Sequence, residues 1–158
     1  MEYDPSDADL SLASLFAGWA LADELQRRLA DDGFDDARFA DGVVFQHLVG
    51  GPVTISTLAE KLGVTQQAAS KSVADLEHRG YVVRRPDPVD ARARQVALTE
   101  RGEAVISTAR KHRASLDADL RQALGADEVE QARRLLLAVV DHLGATPSLR
   151  ARAVHPPR

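Results

Sequence analysis

Apolar positions along this chain follow two periods. From Ala8 to Ala30, Leu12, Leu15, Phe16, Trp19, Ala22, Leu25 and Leu29 recur three or four residues apart, predicting a long amphipathic helix ended by Asp31-Asp32-Gly33. A second helix is predicted from a cap at Asp35 or Asp36. It carries Phe39, Val43, Val44, His47 and Leu48 and stops at Gly50-Gly51-Pro52. Behind an N-cap at Thr54, Ile55, Leu58, Ala59 and Leu62 mark a third helix, and Gly63 suits its left-handed end. Thr65 caps a fourth helix, whose buried face is Ala69, Val73 and Leu76. The period then shortens to two. Tyr81-Val82-Val83-Arg84-Arg85 and Gln95-Val96-Ala97-Leu98 read as antiparallel strands around a loop, and Val53 can add a third strand. Thr99 caps a long helix to Leu124, Gly125 breaks it, and a last helix runs from Asp127 to Leu143 before Gly144 and Pro147.

The expected fold is therefore mostly α with a small antiparallel β-wing: a winged helix–turn–helix embedded in a helical dimerisation scaffold. Residues 1–34 are read as an N-terminal dimerisation helix and 35–98 as the winged region. Residues 99–145 are read as C-terminal dimerisation helices and 146–158 as a flexible tail, within one compact domain. Dimerisation is expected because Leu135, Leu136 and Leu137 are consecutive and cannot all face one partner. A helix that is apolar on more than one face needs burial on more than one face. The alternative is an ordinary monomeric helical core.

Composition narrows the class. No apolar run approaches the ~20 residues of a membrane span, and the first ten residues lack a cationic signal region, so a cytoplasmic protein with no membrane partner is expected. With Cys 0, disulfides, thiolate metal sites and cysteine redox switches are excluded. The net charge of −4 is unevenly spread. Residues 1–36 hold ten acidic groups against Arg27 and Arg28, or −8, which leaves 18 basic and 14 acidic groups, or +4, in the remainder. Local field governs association with phosphates, because charges beyond a Debye length of ~8 Å are largely screened.

The chemistry concentrates between Thr54 and Thr99. Gln66, Gln67, Ser70 and Lys71 lie opposite the buried face of the fourth helix, and all four donate hydrogen bonds. Such a face suits base edges and phosphates, and helix–turn–helix geometry can place it in a major groove. The loop from Pro86 to Arg94 holds two prolines and two arginines. Here the chain resembles the MarR family of winged helix–turn–helix regulators. The resemblance is carried by LAEKLGV, by TQQAASKSVADLEHRGYVVR, and by Asp90-x-Arg92-x-Arg94-x-Val96-x-Leu98-Thr99. It covers about a third of the chain tightly; the flanking helices match by length and pattern only.

The resemblance implies a homodimer on double-stranded operator DNA, with Thr65, Gln66, Gln67, Ser70 and Lys71 at the recognition helix. It also implies that Arg92 enters the minor groove from the wing, held by Asp90, while Arg94 and Arg84 neutralise phosphates. Arg85 is a further phosphate candidate, and a solvated strand edge is the other reading of Arg84 and Arg85. It implies a small-molecule effector, often an aromatic acid, bound between the dimerisation helices and the winged region. Trp19, Arg38, Phe39, His47 and His112 are the pocket candidates, although Trp19 and His47 also read as ordinary core or interface residues. A repressor released from a pseudo-palindromic site is the expected behaviour. The alternatives are a metal-responsive regulator of the same fold and a winged-helix protein-interaction module. No cofactor, metal site or catalysis is expected: the five histidines show no metal-ligand spacing, and there is no Gly-rich phosphate loop or Gly-x-Ser-x-Gly.

Overall fold

The computed structural model describes residue 4, residues 7–88 and residues 94–151. Among these, the order is α1 (Leu10–Asp31), α2 (Asp41–Leu48), β1 (Val53–Thr54), α3 (Ile55–Leu62), α4 (Gln66–His78), β2 (Val82–Pro86), β3 (Arg94–Leu98), α5 (Glu100–Leu124), α6 (Ala126–His142) and α7 (Thr146–Ala151). The architecture is mostly helical with one three-stranded antiparallel sheet, strand order β1-β3-β2.

Local chemistry fixes most of the boundaries. Asp9 accepts from the Leu12 amide to cap α1, Thr54 caps α3, and Thr99 caps α5 by accepting from the Gly102 amide. Gly63 takes φ 66°, ending α3 in the left-handed conformation that costs a side chain least. β3 sits in the middle of the sheet, with Val53 opposite Val96 on one side and Val82 opposite Leu98 on the other.

The predicted start of α2 is corrected. The helix begins at Asp41, Ala40 holds the cap position without a side-chain bond, and Asp35 and Asp36 lie in the preceding turn. Tertiary partners claim the acid that would have capped: Asp36 accepts from Tyr81 and Arg101. The sequence pattern predicts no helix from residue 146 onward, and the structure adds one there. Thr146–Ala151 form α7, with Pro147 in its first turn, where a missing N–H costs no helical bond, and Thr146 donates to Asp141 at 2.7 Å.

The core joins Leu25 and Leu29 of α1, Phe45 and Leu48 of α2, Leu58 of α3, Val73 and Leu76 of α4, and Val105 of α5 around Tyr81, Val82 and Val96. It serves the helix–turn–helix and the sheet. Much of the scaffold lies outside it: α6 has no buried residue, and Phe16 and Trp19 of α1 and Leu135 and Leu136 of α6 are exposed. The apolar stripe of α1 thus divides, its last turns entering the core and its first turns remaining uncovered in the single chain. Among the described residues no helix is long and apolar enough to cross a membrane.

Candidate nucleic-acid interface

Helix α4 is seated by three side chains one helical face apart, Ala69, Val73 and Leu76, all essentially inaccessible. That seating leaves Gln66, Gln67 and Lys71 exposed, with Ser70 half-buried at the margin. Thr65 spends a lone pair on the cap, accepting from the Ala68 amide at 3.1 Å. The exposed first turn therefore presents uncharged donors and one cation at the positive end of a helix, an arrangement with affinity for anions and base edges.

At the other end, α4 is held by an ion-pair network. Arg79, with 9% of its side chain exposed, donates to both carboxylate oxygens of Asp41 at 2.6 and 2.9 Å, to Asp75 at 2.6 Å, and to the Asp36 carbonyl at 2.8 Å. The Asp41 hydrogen bond holds the Arg79 pKa above its ordinary value against the opposing effect of burial. Asp41 also accepts from the Arg38 amide, and Arg38 reaches Asp75 at 3.1 Å. Next to this, Tyr81 donates to Asp36, and Arg101 of α5 lies 4.9 Å over the Tyr81 ring. Helix α4, the residue leading into β2 and helix α5 meet there.

Burial, reinforced by the Asp36 hydrogen bond, pushes the Tyr81 phenol up to about 12. The folded form therefore keeps a proton that an unfolded tyrosine releases near pH 10. Stability contributed by the neutral phenol should be present below pH 10 and fall as pH rises from about 10 to 12. An absorbance titration of the phenols should show Tyr81 ionising near 12. Ionisation of Tyr81 near the ordinary value of about 10 would refute the buried phenol.

The hairpin carries the remaining cations. Arg94, opposite Pro86, and Arg85 are exposed. Asp90 and Arg92 lie outside the described residues. Arg84 departs from its expected role: its guanidinium turns inward, donating to the Ser70 carbonyl of α4 at 3.0 Å and pairing with Glu77 at 3.5 Å. Strand alternation was the overlooked signal, because residue 84 shares the inner face of Val82.

The effector candidates do not converge. Arg38 and Phe39 line a groove of about 900 Å³ between α1, α2, α5 and the α6–α7 end, with Leu25, Phe45 and Val140 among its apolar walls. Sequence reasoning missed Arg110 and Arg113, which also line it. The other three candidates lie elsewhere. Trp19 packs edge-on against Phe16 on exposed α1, and His112 is held by Asp32 at 2.8 Å. His47 has a buried Nε2 with no partner, and burial followed by the nearby Lys61 charge lowers its pKa.

The sequence profile of the MarR family matches residues 43–93, from the middle of α2 to the residue before β3. Over that third of the chain the sequence is similar to the MarR family. An "Uncharacterized HTH-type transcriptional regulator" from Bacillus cereus is 41% identical over 58 residues, 37% of this chain and 37% of that protein. The chain thus aligns with well under half the length of the curated relatives it matches. Two solved structures extend the likeness beyond the MarR profile. RV1404 from Mycobacterium tuberculosis has a TM-score of 0.71 at 25% identity, covering 89% of this chain and 95% of that one. The transcriptional repressor CouR, solved bound to a 23-mer DNA duplex, has a TM-score of 0.64 at 22% identity over 89% and 98%. The second likeness is one of fold alone, and its coverage takes in the flanking helices as well as the winged segment.

Proposed function

We propose that this protein is a transcriptional regulator of the MarR type, working as a homodimer that binds a pseudo-palindromic DNA operator and represses transcription until a small ligand of the aromatic-acid class releases it. One observation carries the reading: the exposed Gln66, Gln67 and Lys71 on a helix whose opposite face is buried, beside a hairpin edged by exposed Arg94. Gln66 and Gln67 can each make a bidentate contact to adenine, and Lys71 can reach guanine or phosphate. Ser70 and Thr65 suit phosphate or base edge. Asp90 and Arg92, in the family's wing pattern, are assigned to the minor groove. The CouR complex supports the same use of the fold.

Dimerisation is supported by the apolar faces that one chain leaves uncovered. Trp19 is 54% exposed, Phe16 60% and Leu135 54%. An obligate interface over such helices typically buries more than ~2,000 Å², and a two-fold axis would set two α4 helices about 34 Å apart, one turn of duplex. Residues 1–34 and 99–145 are accordingly assigned to dimerisation and 35–98 to DNA. The groove holding Arg38 and Phe39 is assigned to the effector, with Arg110 and Arg113 as further cations. A cytoplasmic location follows from that function.

Arg92→Ala should weaken binding to the selected duplex by ~1–3 kcal/mol and flatten the dependence of log K on log salt by about one. Gln67→Ala should relax sequence preference and leave non-specific affinity nearly intact. Fluorescence anisotropy across a salt series measures both. An Arg92→Ala protein with unchanged affinity and slope would remove the wing from the interface.

A further inference from the structure

We propose that Arg84 is a positioning residue: it fixes the pose of α4 against the hairpin and thereby sets discrimination between duplexes, without touching phosphate. The inference rests on the DNA-binding reading above.

β2 follows α4 through the short turn at Arg79, Gly80 and Tyr81. A helix held only at one end can pivot, and a small tilt there becomes a large displacement at Gln66 and Gln67, four turns away. Arg84 supplies two more attachments. Its Nη2 donates to the Ser70 carbonyl at 3.0 Å, and its Nη1 lies 3.5 Å from Glu77 Oε2. Glu77 Oε1 in turn accepts from the Arg84 amide at 3.0 Å. Ser70 and Glu77 are seven residues apart, two turns and about 10 Å along one helix face. Attachment at both points restrains tilt and roll together. The planar fork of a guanidinium can span them; a single ammonium cannot.

Two features set Arg84 apart from a phosphate contact. Its side chain is 30% exposed and directed at α4, while its neighbour Arg85 is the exposed cation of the strand. Its Nε is buried with no hydrogen-bond partner. A donor withdrawn from water without a partner carries a desolvation cost, so the side chain's value lies in the geometry it enforces. Ser70 belongs to the donor face itself, so the Arg84 bond is made directly beneath the groups that would meet bases.

The test measures the ratio of affinities for a selected operator and a scrambled duplex, across a salt series, for wild type, Arg84→Met, Arg84→Lys and Glu77→Ala. With Arg84 as a positioning residue, Arg84→Met lowers the ratio about tenfold and leaves the salt slope unchanged. Arg84→Lys recovers little, because charge without the fork does not span Ser70 and Glu77. Glu77→Ala lowers the ratio too, although it removes a negative charge from the binding face. A phosphate contact gives the opposite pattern, which would overturn the proposal: Arg84→Met loses about one unit of slope on both duplexes, Arg84→Lys restores it, and Glu77→Ala tightens both. A lower thermal midpoint with an unchanged ratio in the folded fraction would show a purely structural role and also overturn it. Wild-type protein that prefers no duplex would overturn the DNA-binding reading, and this inference with it; failure confined to the variants overturns the inference alone.

Discussion

Arg79→Met should lower folding stability by about 3–5 kcal/mol, measured by urea unfolding. Removing the guanidinium leaves Asp41, whose side chain is 10% exposed, as a carboxylate with its two charge-assisted donors gone. Breaking one side of a buried pair costs that much because the surviving charge is desolvated without compensation. The loss is a large share of the 5–15 kcal/mol that typical domains possess. Most of it should return in the double variant Arg79→Met with Asp41→Leu, where neither charge remains. A single variant as stable as wild type would show the pair to be surface-like, worth about 0–1 kcal/mol.

Gly102→Ala should destabilise by about 3 kcal/mol, the reverse of what its place in a helix suggests. In an exposed helix interior the change would gain up to ~1 kcal/mol from reduced backbone freedom. Here an added Cβ would lie 2.2 Å from the backbone oxygen of Tyr81 and 3.1 Å from Leu98. The oxygen cannot rotate away as a side chain does, since it already accepts from the Thr99 amide at 3.0 Å. Either α5 or the start of β2 must shift, and overpacking of this kind costs ~1–3 kcal/mol, more where backbone has to move. A thermal midpoint equal to or above wild type would mean that α5 does not pass this close to Tyr81.

How much of this could be read in the sequence depended on how far apart the deciding residues stand. Thr54, Gly63, Thr65 and Thr99 act on backbone within a few residues, and each ends or begins a helix where its chemistry predicts. The pairing of Val53 with β3 was legible because a lone apolar residue before a cap leaves few partners. The start of α2 was not, because its acids are claimed by Arg79, Tyr81 and Arg101, which lie 38 to 65 residues further along the chain. The contacts of Arg84 were hidden for a different reason. Sequence counts it among the cations of a basic hairpin, while only the side of the strand it occupies separates a strut from a phosphate contact. Among the effector candidates, residue type suggested five positions; backbone geometry gathers Arg38 and Phe39 and leaves Trp19, His47 and His112 on separate surfaces.

The proposed reading of this chain as a two-headed reader of duplex DNA is tested most directly by selection from a random duplex pool with the purified protein. The stoichiometry of the winning complex is then measured by sedimentation. Two chains per duplex should enrich an inverted repeat whose half-sites are centred about 10 bp apart, with affinity falling steeply as salt rises. A monomer that enriches no sequence and stays unbound at low ionic strength would contradict it.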